Sequence, residues 1–351
     1  MRCESRQQGR RQFLRVAGAG AIGLVLPLDR TRAAQSPREK PLRGIFPIAQ
    51  TPFTESDKLD LDSLIEEVRF IDRGGVHGFV WPQLASEWET LSEAERLEGA
   101  EAIARTGKNL RPAIVIGVQG PNAATAVKYA KHAAKVGADA IISLPPPNQE
   151  DPKALLDYYQ KVGSATGLPL FVQAVGDMSV DSILEMYRNV PTLRYVKDET
   201  GQPLARIRIL REKSNEQLKV FSGSHGRTLI DEMIRGFSGS MPAASFADLY
   251  ASAWDLWHDG KKREAIETFG NAALLIHEVI TYDEGMKYIL YLRGVFKTYQ
   301  LRGRGTRAAP AATPSAVALA SGVMGNRTPL DDTAKQVLRE ILALMKPYLR
   351  A

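Results

Sequence analysis

From residue 44 onward, short apolar runs alternate with longer stretches whose apolar residues recur at helical spacing. Apolar runs at 44–52, 78–82, 113–118, 140–144, 170–175, 193–197, 219–222 and 239–242 predict eight strands. Between and after them, helices are expected at 61–72, from the Ser92-Glu93-Ala94-Glu95 capping box, at 123–136, from near Pro152, at 180–189, from near Pro203, at 228–235 and at 246–258. The strands are apolar without strict alternation, as expected when both faces are buried. Eight β/α units in succession predict an α/β fold, a (β/α)8 TIM barrel over 41–259. An open doubly wound sheet is the competing fold, but it needs a phosphate-type glycine turn after an early strand. The nearest stretch, Gly117-Val118-Gln119-Gly120, lacks the full pattern. Residues 260–351 predict a C-terminal helical extension, with helices at 261–282, 284–299 and 331–348 and a loop at 303–328 rich in Ala, Gly, Pro and Thr.

Charge changes the picture mainly at the N-terminus. The formal charge of the whole chain is +6, but residues 1–34 hold seven arginines against Glu4 and Asp29. The remainder is therefore close to neutral, with no basic excess of the kind nucleic acid requires. Gly9-Arg10-Arg11-Gln12-Phe13-Leu14-Arg15 resembles a twin-arginine motif. A modestly apolar stretch, 16–28, and a plausible processing site, Thr31-Arg32-Ala33-Ala34-Gln35, follow it. Residues 1–34 thus read as an export signal, too short in its apolar part to span a bilayer. No stable membrane association is expected. Cys3 is the single cysteine, so no internal disulfide is possible.

Lys197 ends the predicted sixth strand, and barrels of this kind build their active sites at the C-terminal ends of the strands. A neutral lysine there can attack a ketone, and the protonated imine that results is an electron sink. Neutrality requires burial or nearby positive charge. The plainer alternative is a strand-end lysine paired with Asp198 or Glu199.

Several segments recur in order on these units: Thr51-Pro52-Phe53, Leu59-Asp60, Ser86-Glu87, Leu91-Ser92-Glu93-Ala94-Glu95-Arg96, Tyr195-Val196-Lys197-Asp198-Glu199-Thr200-Gly201, Ser222-Gly223 and Gly236-Phe237-Ser238-Gly239-Ser240-Met241-Pro242. In these the chain resembles the dihydrodipicolinate synthase and N-acetylneuraminate lyase family of Schiff-base barrel enzymes. The resemblance implies an imine between Lys197 and a 2-oxo acid, with no cofactor, in a homo-oligomer, tetramer or dimer. Two departures stand out. The family's Gly-Thr-Thr-Gly-Glu segment is Gln83-Leu84-Ala85-Ser86-Glu87 here, and its proton-relaying tyrosine on strand five falls on Gln173. The arginine that grips the second substrate of dihydrodipicolinate synthase falls near Asp177, which argues against lysine biosynthesis. The Leu170-Phe171-Val172-Gln173 run and the Lys197 segment are similar to the 2-keto-3-deoxy-L-arabinonate dehydratase branch.

That resemblance implies Lys197 as nucleophile and Gln173 orienting imine, water or a substrate hydroxyl. Ser86, with backbone N–H groups near Ala85, is expected to hold the carboxylate, and Glu199 to carry a proton. Ser222 and Met241 complete the expected substrate contacts. The reading is a Schiff-base dehydratase of a 2-keto-3-deoxy sugar acid. A pyruvate-releasing aldolase and a non-catalytic sugar-acid-binding barrel remain as alternatives. Glu87 is expected to bond loop N–H groups, the 145–147 prolines to shape the strand-four loop, and His225, Trp81 and Trp88 to lie near the site or in packing. The histidines show no metal-ligand spacing, and no metal is expected.

Overall fold

The computed structural model describes residues 40–201, 203–302 and 328–351. The expected export signal and nearly all of the 303–328 loop lie outside the described residues.

Eight parallel strands and their helices follow the expected order. They are β1 (Gly44–Ile45), α1 (Leu61–Arg73), β2 (Gly78–Trp81), α2 (Glu93–Gly107), β3 (Ala113–Gly117), α3 (Ala123–Val136), β4 (Ala140–Ser143), α4 (Pro152–Ser164), β5 (Leu170–Ala174), α5 (Val180–Asn189), β6 (Leu193–Asp198), α6 (Pro203–Lys213), β7 (Lys219–Ser222), α7 (Leu229–Ile234), β8 (Gly239–Ser240) and α8 (Ala247–His258). From β2 to β8 each strand pairs with the next in sequence, and β1 pairs with β8. The ring closes just beyond β1, where Ala49 N–H donates to Val80 O at 2.9 Å and Val80 N–H donates to Pro47 O at 3.1 Å. Local sequence sets the helix starts. Ser92 Oγ accepts from Glu95 N–H while Glu95 accepts from Ser92 N–H, the reciprocal cap expected of that motif.

The pleat sorts side chains into two cores. Phe46, Ile48, Val80, Val115, Ile142, Phe171, Phe221 and Met241 belong to the cluster inside the barrel. Their strand neighbours, among them Ile45, Phe79, Ile114, Ile141, Val172, Val196 and Val220, pack outward under the helices. Inside, Phe171 and Tyr195 stack with centroids 4.3 Å apart, and Phe221 meets the edges of Phe171 and Phe46 at 5.3 and 5.4 Å. These rings floor the barrel mouth, with Tyr195 two residues, and so one inward step, below Lys197.

The extension continues with α9 (Lys262–Val279), α10 (Gly285–Leu292) and α11 (Asp332–Met345). α10 is shorter than the expected 284–299 helix. Gly294 sits in the left-handed region at φ 71°, where a chain leaves its helix, and residues 295–302 run on without helix. Among the described residues no helix is long and apolar enough to cross a membrane.

Candidate active site

Lys197 faces inward at the C-terminal end of β6, in register with Gln173 on β5. Its side chain is 4% exposed, and its Nζ lies 2.9 Å from Glu199 Oε2. Glu199 is two residues further along, so it shares the inward face. Gln173 Nε2 donates to the same Glu199 oxygen at 2.5 Å, and Ser224 N–H donates to Glu199 Oε1 at 3.1 Å. Burial pushes the Glu199 carboxyl up. The Lys197 charge, its hydrogen bond, the Ser224 N–H and the Gln173 amide outweigh burial and hold it below its ordinary value. Of the two expected routes to a neutral amine, burial is present, while the charge in contact with it is the negative one of Glu199.

Room for Glu199 comes from Gly223. A Cβ there would stand 2.0 Å from Glu199 Oε1. Ser224 and His225 follow in the left-handed region, φ 48° and 58°, and this bend aims the Ser224 N–H at the carboxylate. Asp198, on the opposite face of β6, points outward and pairs with Arg206 on α6 at 2.8 Å.

Beside the amine lies a cavity of about 320 Å³, counting the part open to solvent. Its walls are Ile48, Leu84, Ala85, Lys197, Glu199, His225, Met241, Pro242 and Ala243. Lys197, Glu199, Ala85 and Met241 are thus brought together at one cavity, and His225 joins them. Gln173 touches Glu199 instead of lining the cavity; its Oε1 is buried with no hydrogen-bond partner among the described residues. The 145–147 prolines are not among the lining residues.

Two expected contacts are corrected. Ser86 is fully buried, its hydroxyl donating to Ala49 O at 2.5 Å and accepting from Gln83 N–H at 3.0 Å. It braces the turn over 84–86 instead of offering its proton to a ligand. Ser222 faces away from the cavity because its neighbour Phe221 faces in. Its hydroxyl donates to Glu232 Oε2 on α7 at 2.5 Å and lies 2.8 Å from Ser240 Oγ.

Glu232, missed in the sequence, is therefore a carboxyl sealed behind the β7–β8 rim. Burial pushes it up to about 7, against the hydroxyls of Ser222, Thr228 and Ser240, which favour the ionised form. Its folded value lies above its unfolded one, so its stabilising contribution is complete below about pH 4 and fades as pH rises through about 7. Glu232→Gln should flatten that part of the stability profile, by roughly 3 kcal/mol between pH 4 and 8. Chemical denaturation across that range checks this.

Trp81 is wholly buried, its Nε1 donating to Thr51 Oγ1 at 3.0 Å, and Trp88 packs on Leu84, Leu144 and Val175. Both serve packing. Among the described residues, no group of three His, Cys, Asp or Glu side chains is placed to hold a metal ion.

A family model described as the dihydrodipicolinate synthetase family matches residues 41–313. A 4-hydroxy-tetrahydrodipicolinate synthase of Methanosarcina mazei is 30% identical over 192 residues, 53% of this chain and 65% of the relative. The chain thus spans just under two thirds of that relative's length. A probable 2-dehydro-3-deoxy-D-pentonate aldolase, YjhH, of Escherichia coli K12 is 27% identical over 232 residues, 63% of this chain and 76% of the relative. Among solved structures, YagE, a prophage protein of E. coli K12 in complex with pyruvate, superposes with a TM-score of 0.74 at 21% identity. The match covers 87% of this chain and 99% of that one, and it shows the shared fold.

Proposed function

The chain belongs to the dihydrodipicolinate synthetase family, and from that premise we propose that it is a Schiff-base lyase that dehydrates a 2-keto-3-deoxy sugar acid. The observation that carries this reading is the pair of Lys197 and Glu199 at the cavity wall, with Gln173 bonded to Glu199 behind it.

Glu199 takes a proton from the Lys197 ammonium, and the freed amine attacks C2 of the substrate. The carbinolamine loses its hydroxyl as water, leaving a protonated imine. Loss of a C3 proton to Glu199 or water gives the enamine. The enamine expels the C4 hydroxyl, which leaves as water with the proton just removed. A further water hydrolyses the imine and frees Lys197. One water is lost overall and no oxidant is needed. The unpartnered Gln173 Oε1 is an acceptor for a substrate hydroxyl or a water. Backbone N–H groups near Ala85 hold the carboxylate, a role Ser86 cannot fill while it donates to Ala49.

A second reading keeps the same imine but breaks C3–C4, releasing pyruvate and an aldehyde. The name of the E. coli aldolase relative favours it. Incubation with 2-keto-3-deoxy pentonates and hexonates decides between them. The proposal expects a dehydrated product without pyruvate. Pyruvate release supports the second reading, and no turnover of any such acid contradicts both. Export through residues 1–34 and assembly as a homo-oligomer belong to the same proposal.

A further inference from the structure

The cavity wall contributed by Leu84 and Ala85 belongs to a short turn over 84–86, followed by a second over 88–90. Glu87 joins them in the left-handed region at φ 54°, a conformation an ordinary side chain adopts only when its surroundings enforce it. The enforcing contacts come from far along the chain. Lys287 on α10 is wholly buried and ion-paired with Glu87. Arg302 N–H donates to Glu87 Oε2 at 3.0 Å.

The segment 295–302 straps over this pair. Thr298 Oγ1 donates to Phe53 O at 2.6 Å, and Gln300 Nε2 donates to Thr54 O. The Arg302 guanidinium donates to Thr90 O at 2.9 Å and pairs with Glu95 on α2. Beneath it, Lys287 Nζ donates to Gln300 O at 2.9 Å and lies 4.5 Å from the centre of the Phe53 ring. Glu67 on α1, wholly buried, is a second acid facing this amine. Burial pushes its carboxyl well above the ordinary range, against the Gln50 N–H and the Lys287 charge, and Glu87 is the acid in ion-pair contact with the amine.

We infer that Lys287 is a positioning residue for substrate binding, holding through Glu87 the turn whose Leu84 and Ala85 face the substrate beside Lys197. It touches no substrate. The inference rests on the imine reading above. It assigns the C-terminal extension a part in the site that the extension does not line.

The test measures borohydride trapping of pyruvate on the full chain, as a function of pyruvate concentration, at a temperature where every variant is folded. Lys287→Met strands the half-buried Glu87 carboxylate and is prone to misfold. Lys287→Met/Glu87→Gln replaces the ion pair by a neutral pair of similar volume, which proteins commonly tolerate. The double variant should melt close to the wild type and reach the same maximal trapping. Its half-saturating pyruvate concentration should rise about tenfold, because a displaced turn costs orientation and not chemistry. An unchanged half-saturation in the folded double variant overturns the inference alone. No trapping by the wild-type chain overturns the imine reading, and the inference falls with it.

Discussion

Lys197→Met should reduce turnover of a 2-keto-3-deoxy acid by roughly five orders of magnitude or more, the scale lost when a covalent nucleophile is removed. The loss should fall on kcat, since methionine keeps the volume against the aromatic floor and leaves the walls formed by Leu84, Ala85 and Met241 in place. Stability falls as well. Glu199 loses its cation while buried, and breaking such a pair costs about 3–5 kcal/mol at the upper end. Part is recovered, because Glu199 still accepts from Gln173 and Ser224 N–H and can take up a proton. Lys197→Met/Glu199→Gln should therefore melt above the single variant while remaining inactive. Steady-state assays with thermal melts of both variants separate lost chemistry from lost folding. Substantial turnover by a folded Lys197→Met protein contradicts the role given to this amine.

Glu199→Gln should lower kcat by about 10²- to 10⁴-fold, the usual worth of a positioned acid–base group. The amide keeps the shape and can still accept from Ser224 N–H, but it cannot receive the Lys197 proton. The pH profile gives a second reading of the same group. Its carboxyl is held below its ordinary value, so the catalytic base is fully available above about pH 4.3 and is lost as pH falls through the folded value. The wild-type profile should show that loss on its acid side, and Glu199→Gln should lack it. Gly223→Ala offers an independent approach to the same oxygen: the methyl would lie 2.0 Å from Glu199 Oε1 and must move it.

The alternation of apolar runs and amphipathic stretches was enough to read the barrel, because eight β/α units have few other ways to bury strands on both faces. Lys197 was legible for the same reason: the end of a strand in such a barrel is a defined place. Ser222 was also decidable from sequence, since the pleat forces it to the side opposite Phe221, but a motif match drew attention to its position and away from its face. Ser86 was misread for a different reason. Its hydroxyl partner, Ala49 O, lies 37 residues away, and local sequence carries no mark of that bond. The Glu199 contacts are similarly nonlocal, because the Ser224 N–H reaches it only through two successive left-handed residues that are not glycine. The end of α10 at Gly294 was signalled by a single glycine within an otherwise helical pattern. The strap beyond it depends on bonds to residues more than 200 positions earlier, which no pattern records.

Borohydride reduction in the presence of a 2-oxo acid, followed by peptide mass analysis, tests the imine most directly. The wild-type chain should gain the mass of the substrate less one oxygen atom, on the peptide that contains Lys197 and on no other, and Lys197→Met should gain nothing. A folded wild-type chain that stays unmodified with pyruvate and every 2-keto-3-deoxy acid tried, or that is modified at another lysine, would contradict the assignment.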